Sequence, residues 1–193
     1  YDEDSRLVSK HVTIEFLTTM HYVEKYIRPG SRVLEIGAGT GRYSHSLARR
    51  GYDVDAVELV EHNIEIFRKN TLPTEKITIT QGNALDLSAF PDNQYDITLL
   101  LGPLYHLYNK TDKRQALSEA IRVTKQGGVI FAAYVISDGC LIDEGFHRNN
   151  INVSEYINNA LIDSATFSAK SGPKELFELV RKEDIDDLMS VFS

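Results

Sequence analysis

Residues 33–41 read Val33-Leu34-Glu35-Ile36-Gly37-Ala38-Gly39-Thr40-Gly41, a short apolar run that opens onto three glycines in alternate positions. An apolar run of that length reads as a buried strand. Residues 42–50 have helical composition, and Gly51 sits where a C-terminal cap belongs. A glycine loop between a strand and a helix lets the backbone turn tightly and lets a ligand approach without meeting a Cβ. The helix after it offers unpaired N–H groups and the positive end of its dipole to an anionic group. The dinucleotide fingerprint is G-x-G-x-x-G. Here the third glycine comes one residue early and Arg42 holds the last position, a spacing that leans away from NAD.

Outward from this loop the pattern alternates. Upstream, Phe16, Met20, Val23 and Ile27 recur at i, i+4, i+7 and i+11, which predicts an amphipathic helix over residues 10–28, stopped by Pro29-Gly30. Downstream, residues 53–58 read as a second strand and 61–70 as a helix. Ile77-Thr78-Ile79-Thr80 reads as a third strand, residues 95–101 as a fourth, and 112–123 as a helix. Gly127-Gly128 then turns the chain into a fifth strand over 129–135. Strands alternating with helices predict an α/β fold, a doubly wound, Rossmann-like, mainly parallel sheet. The expected order is 3-2-1-4-5, with ligands bound outside the carboxyl ends at the switch point between strands 1 and 4. Beyond residue 136 the rhythm breaks. Residues 137–152 are polar and turn-rich, 153–162 read as a helix, 164–173 as a loop, and 175–180 as either strand or helix. A last helix is expected over 183–192, with Ile185, Leu188, Met189 and Phe192 on one face.

Composition removes several classes. With 21 Lys+Arg against 28 Asp+Glu the net charge is −7, and no Lys/Arg run exceeds two, which argues against a nucleic-acid surface. No stretch approaches the roughly 20 apolar residues that a membrane helix needs, so no membrane partner is expected. The opening residues Asp2, Glu3, Asp4 and Arg6 do not read as a secretory signal. Cys140 is the single cysteine, so no internal disulfide forms, and a reducing, cytoplasmic setting is the default. His11, His21, His45, His62 and His147 make no metal-ligand spacing, and no metal is expected.

The glycine segment 33–41 resembles motif I of the class I S-adenosylmethionine (SAM)-dependent methyltransferases. Three more segments resemble that family in order and spacing. Glu58 ends the second strand, where the family places an acid that bonds both ribose hydroxyls. Gly82-Asn83-Ala84-Leu85-Asp86-Leu87 is similar to its adenine-contacting turn, with Asn83 in place of the frequent Asp. Lys125-Gln126-Gly127-Gly128 is similar to its Lys-Pro-Gly-Gly turn, with Gln126 in place of Pro. Leu101-Gly102-Pro103-Leu104-Tyr105-His106-Leu107 resembles a segment after strand 4 in uncharacterised small-molecule methyltransferases.

The resemblance implies one domain over residues 1–193, with a SAM-binding core at 33–135 and an acceptor lid at 136–182. It implies SAM contacts from Glu35, Gly37, Ala38, Gly39, Thr40 and Gly41, then from Tyr43, Glu58 and Leu59, and finally from Asn83, Ala84 and Leu101. The activity implied is methyl transfer to an N, O or C nucleophile. Two absences favour a small molecule, or a peptide or protein, as acceptor: no Asn/Asp-Pro-Pro-Tyr/Phe follows strand 4, and no Pro-Cys pair occurs. His106 is the candidate base, since a histidine side chain titrates near neutrality, with Tyr105 beside it.

Plainer readings stand beside these. The glycines could serve only a tight turn, Glu58 could be a solvated strand end, and Glu35 a structural carboxylate satisfied by N–H groups. Tyr43 either packs or meets the cofactor, Asp86 could cap its own turn, and His106 could be structural. Glu58 lies 21 residues after Gly37, which also suits a dinucleotide ribose. The rivals are therefore an NAD-dependent oxidoreductase and a non-enzymatic SAM- or adenosine-binding regulatory protein. The chain starts at Tyr1 and stops at Ser193, after the last expected helix. It is therefore expected to be a trimmed piece with five parallel strands, lacking the family's final two.

Overall fold

A computed structural model describes residues 10–170 and 176–192. Contacts divide the chain into two compact units. One runs to Pro103 and resumes over Gln115–Ala132; the other comprises Leu104–Arg114 and the chain from Ala133 onward. The expected 33–135 core falls largely in the first, and the expected 136–182 lid in the second.

The first unit is the alternating one. Its elements are α1 (Lys10–Tyr26), β1 (Arg32–Ile36), α2 (Arg42–Arg49), β2 (Asp53–Glu58), α3 (Glu61–Asn70), β3 (Ile77–Gln81), β4 (Tyr95–Leu100), the greater part of α4 (Lys110–Val123) and β5 (Thr124–Ala132). The five strands form one parallel sheet in the order β3-β2-β1-β4-β5, as expected. Val33, central in register between Val54 and Ile97, packs with Met20 and Val23 of α1, with Ile27 just past its end, and with Leu47 and Ala48 of α2. The alternate residues Leu34, Ile36 and Leu100 are equally buried, so both faces of the sheet are covered. On the first face Phe67 of α3 closes over Ala38 and Ala56. This burial forces the carboxyl ends of β1 and β2, and the loops that leave them, to one edge.

The turn between β3 and β4 is tied down by one side chain. Arg122 on α4 donates to the Leu87 and Phe90 carbonyls at 2.8 and 2.9 Å, and pairs with Glu119 and Asp92. The Glu119 carboxylate in turn accepts the Leu87 N–H. Among the described residues no helix is long and apolar enough to cross a membrane.

Several boundaries differ from the sequence reading. β5 begins at Thr124 and ends at Ala132, not at 129 and 135. The register passes from Tyr95↔Thr124 to Ile97↔Val129, so the glycine turn is a bulge inside the strand. Gly127, at φ +79°, permits it, and Lys125 closes it by pairing with Asp96 at 2.8 Å. Val135–Ile136 is a separate strand, β6, which pairs in parallel with β7 (Leu179–Val180). That resolves part of the ambiguous 175–180 stretch as strand. Seven strand segments therefore occur among the described residues, two more than the five expected. The extra pair has two residues in each strand and forms a sheet of its own.

The polar stretch 137–152 contains helix where turns were expected: α5 (Ser137–Leu141) and a π-helical segment, Ile142–His147. The segment is stapled by Arg148 and His147, both paired with Asp143. α6 (Val153–Asn158) starts at an Asn152 cap and stops before 162, where Ala160 turns to φ +55°. α7 (Lys182–Met189) is shorter than the expected 183–192. Residues 171–175, which the 164–173 and 175–180 readings include, lie outside the described residues.

Candidate functional site

Five residues carry the chain from β1 to α2, and three of them need the left-handed backbone region. Gly37, Gly39 and Gly41 have φ of +75°, +56° and +94°. A Cβ on Gly37 would come within 2.7 Å of the Pro103 ring, and one on Gly41 within 2.5 Å of Phe67. The loop is pinned to β2. Gly37 and Ala38 both donate their N–H groups to the Val57 carbonyl, at 2.8 and 3.0 Å, and Gly41 N–H closes a turn on Ala38.

Glu58, the last residue of β2, reaches the loop. One carboxylate oxygen accepts the Gly39 N–H at 2.8 Å; the other accepts the Val60 N–H at 2.9 Å and the Asn63 side-chain amide at 3.2 Å. A carboxylate has about four acceptor directions. Three are used here, so one remains open. Leu59, next in the chain, is exposed, and its carbonyl accepts from Gln81 at the end of β3.

Glu35 lies inside β1 and is only 3% exposed. One of its oxygens accepts both the Ser44 N–H at 2.9 Å and the Ser44 hydroxyl at 2.5 Å, which ties the strand to the first turn of α2. Burial pushes its pKa up to about 7, with the Glu58 charge adding to the rise and the Ser44 hydrogen bonds opposing it. Both carboxylates are buried; Glu58 gathers N–H donors from three residues, while both bonds to Glu35 come from Ser44.

The remaining expected residues fall around this edge or away from it. Thr40 and Ala38 are buried within the loop. Gly82 N–H donates to the Glu58 carbonyl and brings the Asn83–Ala84 turn beside the end of β2. The Asn83 side-chain oxygen accepts the Leu85 N–H at 3.0 Å, and Asp86 accepts the Ser88 N–H at 3.0 Å, so each caps its own turn. Leu101 packs at the end of β4 against the α1 cluster. Tyr43 turns toward α1: its ring lies 5.1 Å from Phe16, its hydroxyl bonds to Thr19, and burial raises its pKa to about 12. Sequence reading missed Ser44 and Asn63, whose side chains hold the two carboxylates; polar residues on exposed-looking helix turns carry no pattern that marks them.

His106 and Tyr105 belong to the second unit. The Nδ1 of His106 lies 2.9 Å from the Leu176 carbonyl oxygen. A carbonyl only accepts, so Nδ1 carries the hydrogen, and in the neutral ring the free lone pair is on Nε2. The rings of Tyr105, His106 and Phe177 pack mutually at 4.9–5.4 Å, and the Tyr105 carbonyl accepts the Glu178 N–H at 2.8 Å. Among the described residues no three His, Cys, Asp or Glu side chains come together to hold a metal ion.

Residues 34–132 match the protein family described as Methyltransferase domain. A demethylmenaquinone methyltransferase of Clavibacter sepedonicus is 34% identical over 102 residues, covering 52% of this chain and 40% of that protein. The chain spans about half the length, or less, of the curated relatives it matches. Among solved structures, the PH0226 protein from Pyrococcus horikoshii superposes with a TM-score of 0.72 at 19% identity, covering 99% of this chain and 89% of that one. A SAM-dependent methyltransferase from Methanosarcina mazei gives 0.66 at 17% identity, covering 88% and 82%. At such identities these two likenesses bear on the fold.

The raised pKa of Glu35 has a consequence for stability. The folded chain holds a proton that the unfolded chain releases near the ordinary carboxylate value of 4.5, so this group's contribution falls as pH rises toward about 7. Glu35→Gln should therefore gain about 2 kcal/mol on the wild type between about pH 5 and pH 7. Urea unfolding of both proteins at the two pH values measures it, and parallel pH profiles would contradict it.

Proposed function

The chain belongs to the methyltransferase-domain family, and from that premise we propose that it binds S-adenosylmethionine at the glycine loop and directs its methyl group to a small-molecule nucleophile. The observation that carries this reading is Glu58, an anchored carboxylate with one open acceptor direction, set beside a loop that three positive-φ glycines fold back over β2. That arrangement fits a ribose. Two vicinal hydroxyls can donate to one carboxylate in charge-assisted bonds. The open direction takes one hydroxyl, and the 3.2 Å bond from Asn63, the longest of the three, is the one a second hydroxyl would displace. The early third glycine and the family match favour SAM over a dinucleotide.

When bound, S-adenosylmethionine supplies an electrophilic methyl group on a sulfonium whose leaving group is a neutral thioether. No acid is then required of the protein, and positioning dominates, where effective molarities supply roughly 7–11 kcal/mol. Glu58 orients the nucleoside. Glu35 holds the first turn of α2 against β1 through Ser44. His106, with its free lone pair on Nε2, is suited to take a proton from an acceptor that must lose one. The net charge of −7 supports a small molecule over a nucleic acid. So does the name of the Clavibacter relative, a methyltransferase acting on demethylmenaquinone.

Titration calorimetry with SAM, S-adenosylhomocysteine and NAD tests the reading: the first two should bind and NAD should not. Glu58→Ala should weaken both ligands by about 1.5–3 kcal/mol, the scale of hydrogen bonds to a charged group, and the loss should largely vanish for an analogue lacking both ribose hydroxyls, leaving only the part due to the freed Gly39 N–H. An equal loss with that analogue would contradict the assignment. His106→Ala should lower methyl transfer to an accepted substrate while leaving SAM affinity unchanged; normal turnover at every pH would remove it from the reaction.

A further inference from the structure

Beneath the glycine loop lies a buried polar pair that the cofactor reading does not use. His45, on the first full turn of α2, is only 6% exposed. Its Nδ1 lies 2.8 Å from an oxygen of Glu75, whose side chain is wholly buried. Glu75 belongs to the connection between α3 and β3, and its carboxylate also takes the Arg49 Nε at 2.6 Å and the Leu72 N–H at 3.1 Å. Burial pushes the Glu75 pKa upward, but the hydrogen bonds from His45, Leu72 and Arg49 outweigh it and hold the group below its ordinary value. Glu75 is therefore a carboxylate that only accepts, and Nδ1 of His45 carries the hydrogen.

The other edge of the imidazole faces the loop. One ring face packs on Phe67, with centroids 4.6 Å apart. Nε2 is buried and has no hydrogen-bond partner. A Cβ built on Gly41 would lie 2.7 Å from Nε2 and 2.5 Å from Phe67, so these two rings form the floor directly under the Gly41 Cα. Gly41 both ends the loop and starts α2: its φ is +94°, and its carbonyl accepts the His45 N–H at 2.8 Å in the first helical bond. An unpaired buried nitrogen is costly. A hydrocarbon side chain would fill the same space without that cost, but it would have no directional tie to Glu75 to fix the height and tilt of the floor.

We propose that His45, clamped by Glu75, is a positioning residue: it props Gly41 from below and so sets the affinity of the glycine loop for S-adenosylmethionine. The proposal rests on the cofactor reading above. It touches no ligand atom. Its effect runs through the backbone: the Gly41 N–H closes a turn on Ala38 and the Gly39 N–H holds the Glu58 carboxylate, so a shift of Gly41 displaces the loop against the acceptor that takes the ribose. Arg49 provides the internal control. It holds the same carboxylate, but it is half exposed at the far end of α2 and has no part in the floor.

The test is calorimetric affinity for SAM and S-adenosylhomocysteine, with Tm measured in parallel, for the wild type, His45→Leu, Glu75→Gln and Arg49→Ala. His45→Leu keeps the apolar packing and should weaken both ligands at least tenfold at a temperature where it is fully folded. Glu75→Gln keeps an amide oxygen to accept the Nδ1 hydrogen and should stay within threefold. Arg49→Ala should lower Tm yet stay within twofold in affinity. Should His45→Leu fail to fold, His45→Asn replaces it: its short amide can donate to Glu75 without reaching Gly41, and it should show the same loss. Affinity within twofold of wild type in a folded His45 variant overturns the proposal, as does a loss in Arg49→Ala equal to that in the His45 variant. A wild type that binds neither ligand overturns the cofactor reading itself, and this proposal with it.

Discussion

The hydrogen bond from the Gly39 N–H to the Glu58 carboxylate, 2.8 Å long, joins the two strand ends on which the site is built. It forms only because Gly37, Gly39 and Gly41 all take positive φ, which folds the loop back over β2 and turns the Gly39 amide toward the strand's last residue. The sheet supplies the rest of the geometry. With β1 between β2 and β4, and both faces covered by side chains, the loop can leave only at the carboxyl edge. The two N–H groups on the Val57 carbonyl then fix the height of the loop above β2.

Two glutamates near this loop have opposite surroundings. Glu58 gathers N–H donors from the loop, from the start of α3 and from Asn63, and stays able to accept. Glu35 is closed off behind the loop, and burial raises its pKa toward neutrality. Placing two carboxylates close together is unfavourable when both are charged. The fold lessens that repulsion by giving Glu58 three N–H donors and by burying Glu35 so that burial raises its pKa to about 7. Methyl transfer from a sulfonium needs binding and alignment more than proton transfer, and a rigid loop with one well-anchored acceptor suits that demand.

Much of the first unit was legible because its signals are local. The apolar run at 33–36, the glycines after it and the β-branched alternation at 77–80 each report on their own neighbourhood. The parallel order follows from strands alternating with helices. What the sequence did not reveal depends on partners far away in the chain. Nothing at Ser44 announces that it will hold Glu35, and His45 and Glu75 meet across 30 residues. The Gly127-Gly128 turn was legible as a turn, but its placement as a bulge within β5 depends on the register with Tyr95 and Ile97. The two-residue strands β6 and β7 are too short to carry a period. Around residues 137–147 the polar, turn-rich composition masked helical turns that ion pairs with Arg148 and His147 sustain.

In the proposed function the glycine loop and Glu58 together hold an adenosine ribose, with no dinucleotide pyrophosphate on the loop. A crystal structure of the chain with S-adenosylhomocysteine bound decides it. Both ribose hydroxyls should lie within hydrogen-bond distance of the Glu58 carboxylate, with Asn63 turned away and the Gly39 N–H still on Glu58. A nucleoside bound elsewhere, or hydroxyls satisfied without Glu58, would contradict it.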